Sequence, residues 1–254
     1  MKRAIRLFLR ITFIFTFLFI CISSAGYVLV EISVNSNGSN RDPEIILVHP
    51  GDGDNTISWE LYRKNIISNR AYFFIAKYTA RKPFVPKVGE YEIPAYATLF
   101  QVMEILHSGV SLQRKVTFPE GLTSKKIIDV LNNAPNMTDE IITIPDEGSL
   151  FPDTYFYTYG MSRQNIIDRA SQKFKLVLTE LWASRYENLP IYTQKEAVIL
   201  ASIVEQETTR PEERPLVASV FINRLKSKMP LQSDPTVIYG LEKIGIAPKR
   251  LLRK

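Results

Sequence analysis

The stretch Glu196-Ala197-Val198-Ile199-Leu200-Ala201-Ser202-Ile203-Val204-Glu205-Gln206-Glu207-Thr208 decides how the rest of the chain is read. At roughly 100° per residue, Ala197, Leu200, Ala201 and Val204 fall on one stripe of a helix, and Val198 and Ile203 widen it on both sides. A helix of this pattern is expected to be buried. Glu205 sits at the edge of the stripe, in line with Val198 and Ala201.

Apolar surroundings disfavour the charged form of a carboxyl, and a carboxyl that keeps its proton can serve as a general acid. Glycoside-cleaving enzymes use this device to protonate a leaving glycosidic oxygen. The alternatives for Glu205 are a solvent-facing position at the helix end or an ion pair with Arg210 or Arg214.

Two further blocks follow, Val220-Phe221-Ile222-Asn223-Arg224-Leu225 and Met229-Pro230-Leu231-Gln232-Ser233-Asp234-Pro235-Thr236-Val237-Ile238-Tyr239-Gly240. Asp234-Pro235 reads as a helix start, with Asp234 as N-cap and Pro235 at the first helical position. Asn223 sits on an otherwise apolar helix, where its amide needs partners, either in the Gln232 loop or on a substrate.

Together with Ala201–Thr208, these blocks resemble the signature of the endolytic murein transglycosylases, the YceG-like family. The resemblance runs from about Glu44 to Leu241 and stops before the family's usual C-terminal portion. It implies that Glu205 is the catalytic acid/base. The implied substrate is the glycan strand of peptidoglycan, cleaved endolytically between N-acetylmuramic acid and N-acetylglucosamine to leave 1,6-anhydromuramyl ends, in cell wall synthesis and remodelling.

By the same resemblance Gln232 and Ser233 lie in a loop beside the catalytic Glu and bind sugar hydroxyls. Asp146-Glu147-Gly148-Ser149-Leu150-Phe151-Pro152-Asp153-Thr154-Tyr155 resembles a family block that faces the same cleft. Carboxylates accept from sugar hydroxyls and aromatic rings pack on sugar faces, so Glu147 and Tyr155 join the substrate-binding candidates. Asp153 reads first as the residue that fixes a turn after Pro152. A lytic transglycosylase needs no second catalytic carboxylate; a water-using hydrolase is the rival chemistry. The other rival is a truncated, inactive relative that binds peptidoglycan or serves as a scaffold for cell-wall synthesis proteins.

The expected fold class is α+β, with one N-terminal transmembrane helix, a LysM-like α+β subdomain and a mixed α/β catalytic domain. A basic cytoplasmic segment is expected over residues 1–10, the span over 11–30, a linker over 31–43, the subdomain over 44–114 and the catalytic domain, incomplete at its C-terminus, over 115–254. Three strand, Pro-containing turn and helix units support the α+β reading: Ile45–Val48 leading to a helix that ends near Ile67, Tyr91–Pro94 leading to Thr98–Leu106, and Lys115–Gly121 leading to Thr123–Leu131. Such units resemble the LysM module, which would orient a glycan strand.

Lys2, Arg3, Arg6 and Arg10 precede an uncharged run from Ile11 to Val30, and Glu31 follows it. About 20 apolar residues suffice for a membrane-spanning helix, and the positive flank puts the N-terminus in the cytoplasm. The expected location is a single-pass protein of the cell inner membrane with its catalytic domain in the periplasm. Ser23-Ser24-Ala25 leaves a cleaved signal peptide as the alternative.

The lone Cys21 lies inside this run, so the exported part has no disulfide framework. His49 and His107 lack partners at metal spacing, and neither a metal nor a cofactor is expected. The net charge of +6 suggests nucleic acid at first. Four of the basic residues precede the span, however, and Lys243, Lys249, Arg250, Arg253 and Lys254 crowd the end, which leaves no basic face for such a partner. If the run is an uncleaved anchor, the mature protein begins at or near Met1 and stays with membranes through a carbonate wash; N-terminal sequencing that starts at Gly26 would refute this.

Overall fold

The computed structural model of the chain describes residues 2–36, 38–79 and 83–246; the side chains of residues 2–11, 29–30 and 32–35 lie outside the description. The chain divides into two compact units, Met1–Gln113 and Arg114–Lys254.

The first unit opens with helix α1, Lys2–Asn35. The expected span falls on this helix, with the side chains of Ile11, Leu29 and Val30 outside the described residues. Among the described residues no helix is long and apolar enough to cross a membrane. Residues 31–35, expected in a linker, continue α1, because nothing before Ser36 breaks the helix. Gly38 and Asn40 are then tied down: the Gly38 N–H donates to the Tyr96 carbonyl at 3.3 Å, and the buried Asn40 amide donates to the Pro94 carbonyl at 2.9 Å.

Strand β1, Glu44–Val48, is followed by helices α2, Asp54–Arg63, and α3, Arg70–Thr79, and then by strand β2, Gly89–Ile93, and helix α4, Leu99–Ser108. The strands pair antiparallel, with Glu44 opposite Ile93 and Ile46 opposite Tyr91. Ile46, Val48, Tyr91 and Ile93 are buried, and the helices cover them with Leu61, Phe73, Val102 and Leu106. The helix expected to end near Ile67 is corrected: it ends at Arg63, and a further helix, α3, follows from Arg70. Asn65 takes a left-handed φ of 54° after α2, and Ile66 and Ile67 are buried in the connection before α3 begins. An apolar pair in a turn looks in sequence like one more helical turn. Thr98 caps α4 as predicted, in a capping box with Gln101, and Gly109 closes the helix in the left-handed region.

The second unit contains strand β3, Arg114–Thr117; helix α5, Ser124–Asn132; strand β4, Thr154–Tyr157; and helices α6, Arg163–Ala183, α7, Gln194–Glu207, α8, Arg214–Lys226, and α9, Asp234–Lys243. β3 pairs antiparallel with β4, Val116 opposite Tyr155, so the third strand-turn-helix stretch builds a separate two-stranded sheet. Its core gathers Phe118, Ile127, Leu131, Leu150 and Ile166, and a smaller cluster joins Leu200, Ile203 and Val204 of α7 to Phe221 of α8.

Arg163, at the start of α6, holds the chain that leaves α5. Its guanidinium donates to the carbonyls of Leu131 (2.9 Å), Asn132 (3.1 Å), Ala134 (2.7 Å), Met137 (3.1 Å) and Asp139 (2.6 Å). A planar fork of five N–H donors suits such a carbonyl ring, whereas a lysine offers one compact ammonium. Arg163→Ala is expected to destabilise the protein by about 2–4 kcal/mol, since several carbonyls lose a charge-assisted partner. Arg163→Lys should recover less than half of that loss; urea denaturation of the two variants against the parent measures both.

Candidate active site

α7 is fixed at its start by a capping box. Thr193 accepts from the Glu196 N–H at 3.1 Å, and the Glu196 carboxylate accepts from the Thr193 and Tyr192 N–H groups at 3.3 and 2.6 Å. The expected burial of the whole stripe is corrected. Leu200, Ile203 and Val204 are buried against α8, while Ala201 is exposed and Ala197 and Val198 are half-buried. Those last three line an apolar groove of about 290 Å³, whose other wall is Phe174, Leu178 and Trp182 of α6. α7 thus buries one face and presents the other, and Glu205 lies on the presented face, one turn beyond Ala201.

Two turns close on that face. Gly121 has φ +73°, and a Cβ there would come within 2.6 Å of the Gln206 amide nitrogen and 3.6 Å of Glu205 Cγ. The Gln206 amide donates to the Gly121 carbonyl at 2.9 Å. Gly148, φ +69°, approaches Val198 so closely that a Cβ would lie 2.9 Å from its Cγ1. Both positions favour glycine for the left-handed backbone, and Gly148 for the close approach as well.

Glu205 is mostly covered, and Nη2 of Arg214 reaches both its oxygens, at 2.9 and 2.8 Å. The expected apolar surroundings of Glu205 are corrected: of the alternatives read in sequence the ion pair is the one formed, and of the two arginines Arg214 is the partner. Arg210 goes to Glu213 at 3.1 Å, and Glu213 also accepts from the Thr208 hydroxyl at 2.8 Å, which organises the turn between α7 and α8. Carboxylate and guanidinium give the site one group able to exchange a proton and one fixed cation beside it.

Ser233 is buried at the start of α9, and its hydroxyl donates to Glu207 at 2.5 Å. Ser233 occupies the N-cap position and Asp234 is the first helical residue, a one-residue correction to the expected cap. Gln232 is exposed, with a left-handed φ of 51°. Asn223 is exposed on α8. The tie from α8 to the 229–233 loop comes instead from Arg224, which donates to the Leu231 carbonyl and accepts from the Met229 N–H at 2.8 Å.

Glu147 accepts from the Ser124 N–H at 2.8 Å, so its carboxylate serves the N-terminus of α5. Tyr155 lies in the core against Phe118, its hydroxyl donating to the Phe151 carbonyl at 2.7 Å; ring and hydroxyl are committed to packing. Burial, with the Asp153 charge adding to it, pushes the Tyr155 phenol up to about 12. Asp153 accepts from the Thr154 N–H at 2.7 Å and pairs with Lys173, which with that N–H holds its carboxyl below the usual aspartate range. It is a turn residue, as its place after Pro152 predicts.

The structure therefore brings Glu205 together with Arg214, Gln206 and Gly121, and joins the end of α7 to Ser233 through Glu207. Gly121 was legible as a turn after Pro119, but its neighbour on α7 lies 85 residues further on. Gly121→Ala is expected to cost roughly 1–2 kcal/mol from the left-handed backbone alone and to break the Gln206 bond; a thermal melt and the Gln206 amide signals in NMR measure the two effects.

The family model for the YceG-like family matches residues 46–254, so the likeness extends past Leu241, where it was expected to stop. An endolytic murein transglycosylase of Bacillus subtilis (strain 168) is 39% identical over 132 residues, 52% of this chain and 33% of that protein. Another, of Streptococcus pneumoniae (strain ATCC BAA-255 / R6), is 27% identical over 189 residues, 65% of this chain and 31% of that protein. The chain thus spans about a third of the length of the curated relatives it matches. A crystal structure described as a yceG-like protein from Listeria monocytogenes aligns with 80% of this chain and 76% of its own, at 25% identity and a TM-score of 0.42. On the family match, which covers most of its residues, the chain belongs to the YceG-like family.

Proposed function

We propose that this protein is a lytic transglycosylase that cleaves the glycan strands of peptidoglycan endolytically, with Glu205 as acid and then base. The observation that carries the reading is the placement of Glu205. It lies on the presented face of α7, is mostly covered, and is flanked by the Gly121 turn and an apolar groove, in a chain whose relatives are named endolytic murein transglycosylases.

In the first step the protonated Glu205 donates to the glycosidic oxygen between N-acetylmuramic acid and N-acetylglucosamine. The C1–O bond breaks, its electron pair leaves with that oxygen, and positive charge develops at the muramyl anomeric carbon. In the second step the Glu205 carboxylate takes the proton of the muramyl C6 hydroxyl as its oxygen bonds to C1. A 1,6-anhydro ring closes and Glu205 is again protonated. No water is consumed, and one carboxyl performs both transfers. Gln232, exposed beside Ser233, is offered to sugar hydroxyls, while Ser233 and Glu207 hold its loop.

The first unit would orient the strand. Two helices between paired antiparallel strands, with a further helix after them, support the LysM-like reading of residues 44–114. The uncharged run within α1 and the four basic residues before it support an inner-membrane anchor with the domains in the periplasm.

Glu205→Gln keeps the shape and removes the proton. Release of 1,6-anhydro muropeptides from purified murein is expected to fall by about 10²–10⁴-fold. Equal release by the Gln variant and the parent would place the chemistry on another residue, and products ending in a reducing muramic acid would make the enzyme a hydrolase.

A further inference from the structure

We infer that Arg214 is the positioning residue of this site: it steers the Glu205 carboxylate through both proton transfers by exchanging one hydrogen-bond geometry for another. The inference rests on the reading of Glu205 as the acid. Three observations carry it.

The first is where the two charges stand. Glu205 lies in the last turn of α7 and Arg214 is the first residue of α8. A carboxylate at a helix C-terminus and a cation at a helix N-terminus are each opposed by the helix dipole. Neither placement serves its own helix, and the two are reconciled only by their contact.

The second is that the turn between them is built to deliver that contact. Thr208 is buried, its N–H donating to the Val204 carbonyl at 3.3 Å and its hydroxyl to Glu213 at 2.8 Å, while it accepts from the Arg210 N–H at 3.1 Å. A 3-10 turn, Pro211–Glu213, then leads directly into Arg214. The chain reverses within seven residues and brings the guanidinium back over a carboxylate nine positions earlier.

The third is the unfinished fork. One nitrogen, Nη2, spans both carboxylate oxygens, while the buried Nε–H has no hydrogen-bond partner among the described residues. Arginine–carboxylate pairs are frequently bidentate, one nitrogen to each oxygen, and buried donors are usually bonded; this pair does neither. The spare donor is what a moving carboxylate requires. As Glu205 turns toward the glycosidic oxygen, one of its oxygens can pass from Nη2 to Nε, so the guanidinium holds the group along its path and meets the carboxylate left after donation. Arg214 holds the Glu205 oxygens and acts on the sugar only through Glu205.

The test uses the full chain and purified murein glycan strands. Parent, Glu205→Gln, Arg214→Met, Arg214→Lys and Arg214→Gly are compared for kcat and KM of anhydro-end release, and Arg214→Gly is assayed again with added guanidinium chloride at millimolar concentration. The Met variant is expected to lose about 10²-fold in kcat, the scale of a misplaced catalytic group, with KM within twofold of the parent. The Lys variant should recover part of that loss, and guanidinium should raise kcat for the Gly variant while leaving the parent unchanged. Glu205→Gln at the parental rate would sink the reading of the acid itself. With Glu205→Gln inactive, an unchanged kcat in Arg214→Met, or a loss that neither lysine nor guanidinium relieves, would overturn the role of Arg214 alone.

Discussion

The contact between Glu205 and Arg214 is the interaction on which the arrangement of α7 and α8 depends. Their helices run from it in both directions, and each side chain sits at the helix end where the dipole opposes its charge. The chain accepts this because Thr208 and Glu213 organise a tight reversal and because Leu200, Ile203, Val204 and Phe221 make an apolar seam between the helices. That cluster is small beside the core under β3 and β4. The polar reversal therefore carries part of the task of holding α8 against α7.

Around that pair the backbone is shaped by approach distance. Gly121 and Gly148, each preceded by a glutamate, turn left-handed and abut the presented face of α7, Gly148 so closely that a Cβ would press on Val198. Between them the helix shows small residues, Ala197 and Ala201, and then the carboxyl of Glu205. Small side chains there leave an open apolar groove. The two glutamates differ in their duties. Glu147 is spent on the N-terminus of α5, whereas Glu120 is exposed in the turn next to Gln206 and Glu205.

Elsewhere the polar side chains that look chemical in sequence serve the backbone. Tyr155 and Asp153 stand in the block that most resembles a substrate contact, yet one fills the core and the other fixes its own turn with help from Lys173. Arg163 spends its guanidinium on a ring of carbonyls rather than on an anion. The irregular segment that follows α5 must find donors for its carbonyls, and a single arginine supplies several.

The sequence by itself determined the local elements whose signals are local. Thr98, Thr123, Ser162 and Thr193 each open a helix because a hydroxyl next to the first free N–H groups needs no distant partner. The short strands at Ile45–Val48 and Tyr91–Pro94, each leading into a Pro-containing turn, were equally legible, as was the singular position of Glu205 at the edge of an apolar stripe. Tertiary structure alone decided which side of that stripe is covered, because Leu200 and Ala201 carry the same periodicity and only the arrival of α8 buries one and leaves the other open. It alone chose Arg214 over Arg210, set Gly121 against Gln206 across 85 residues, and drew Tyr155 inward. Periodicity and capping are properties of neighbours along the chain, whereas the partner of a charge is set by where the chain returns.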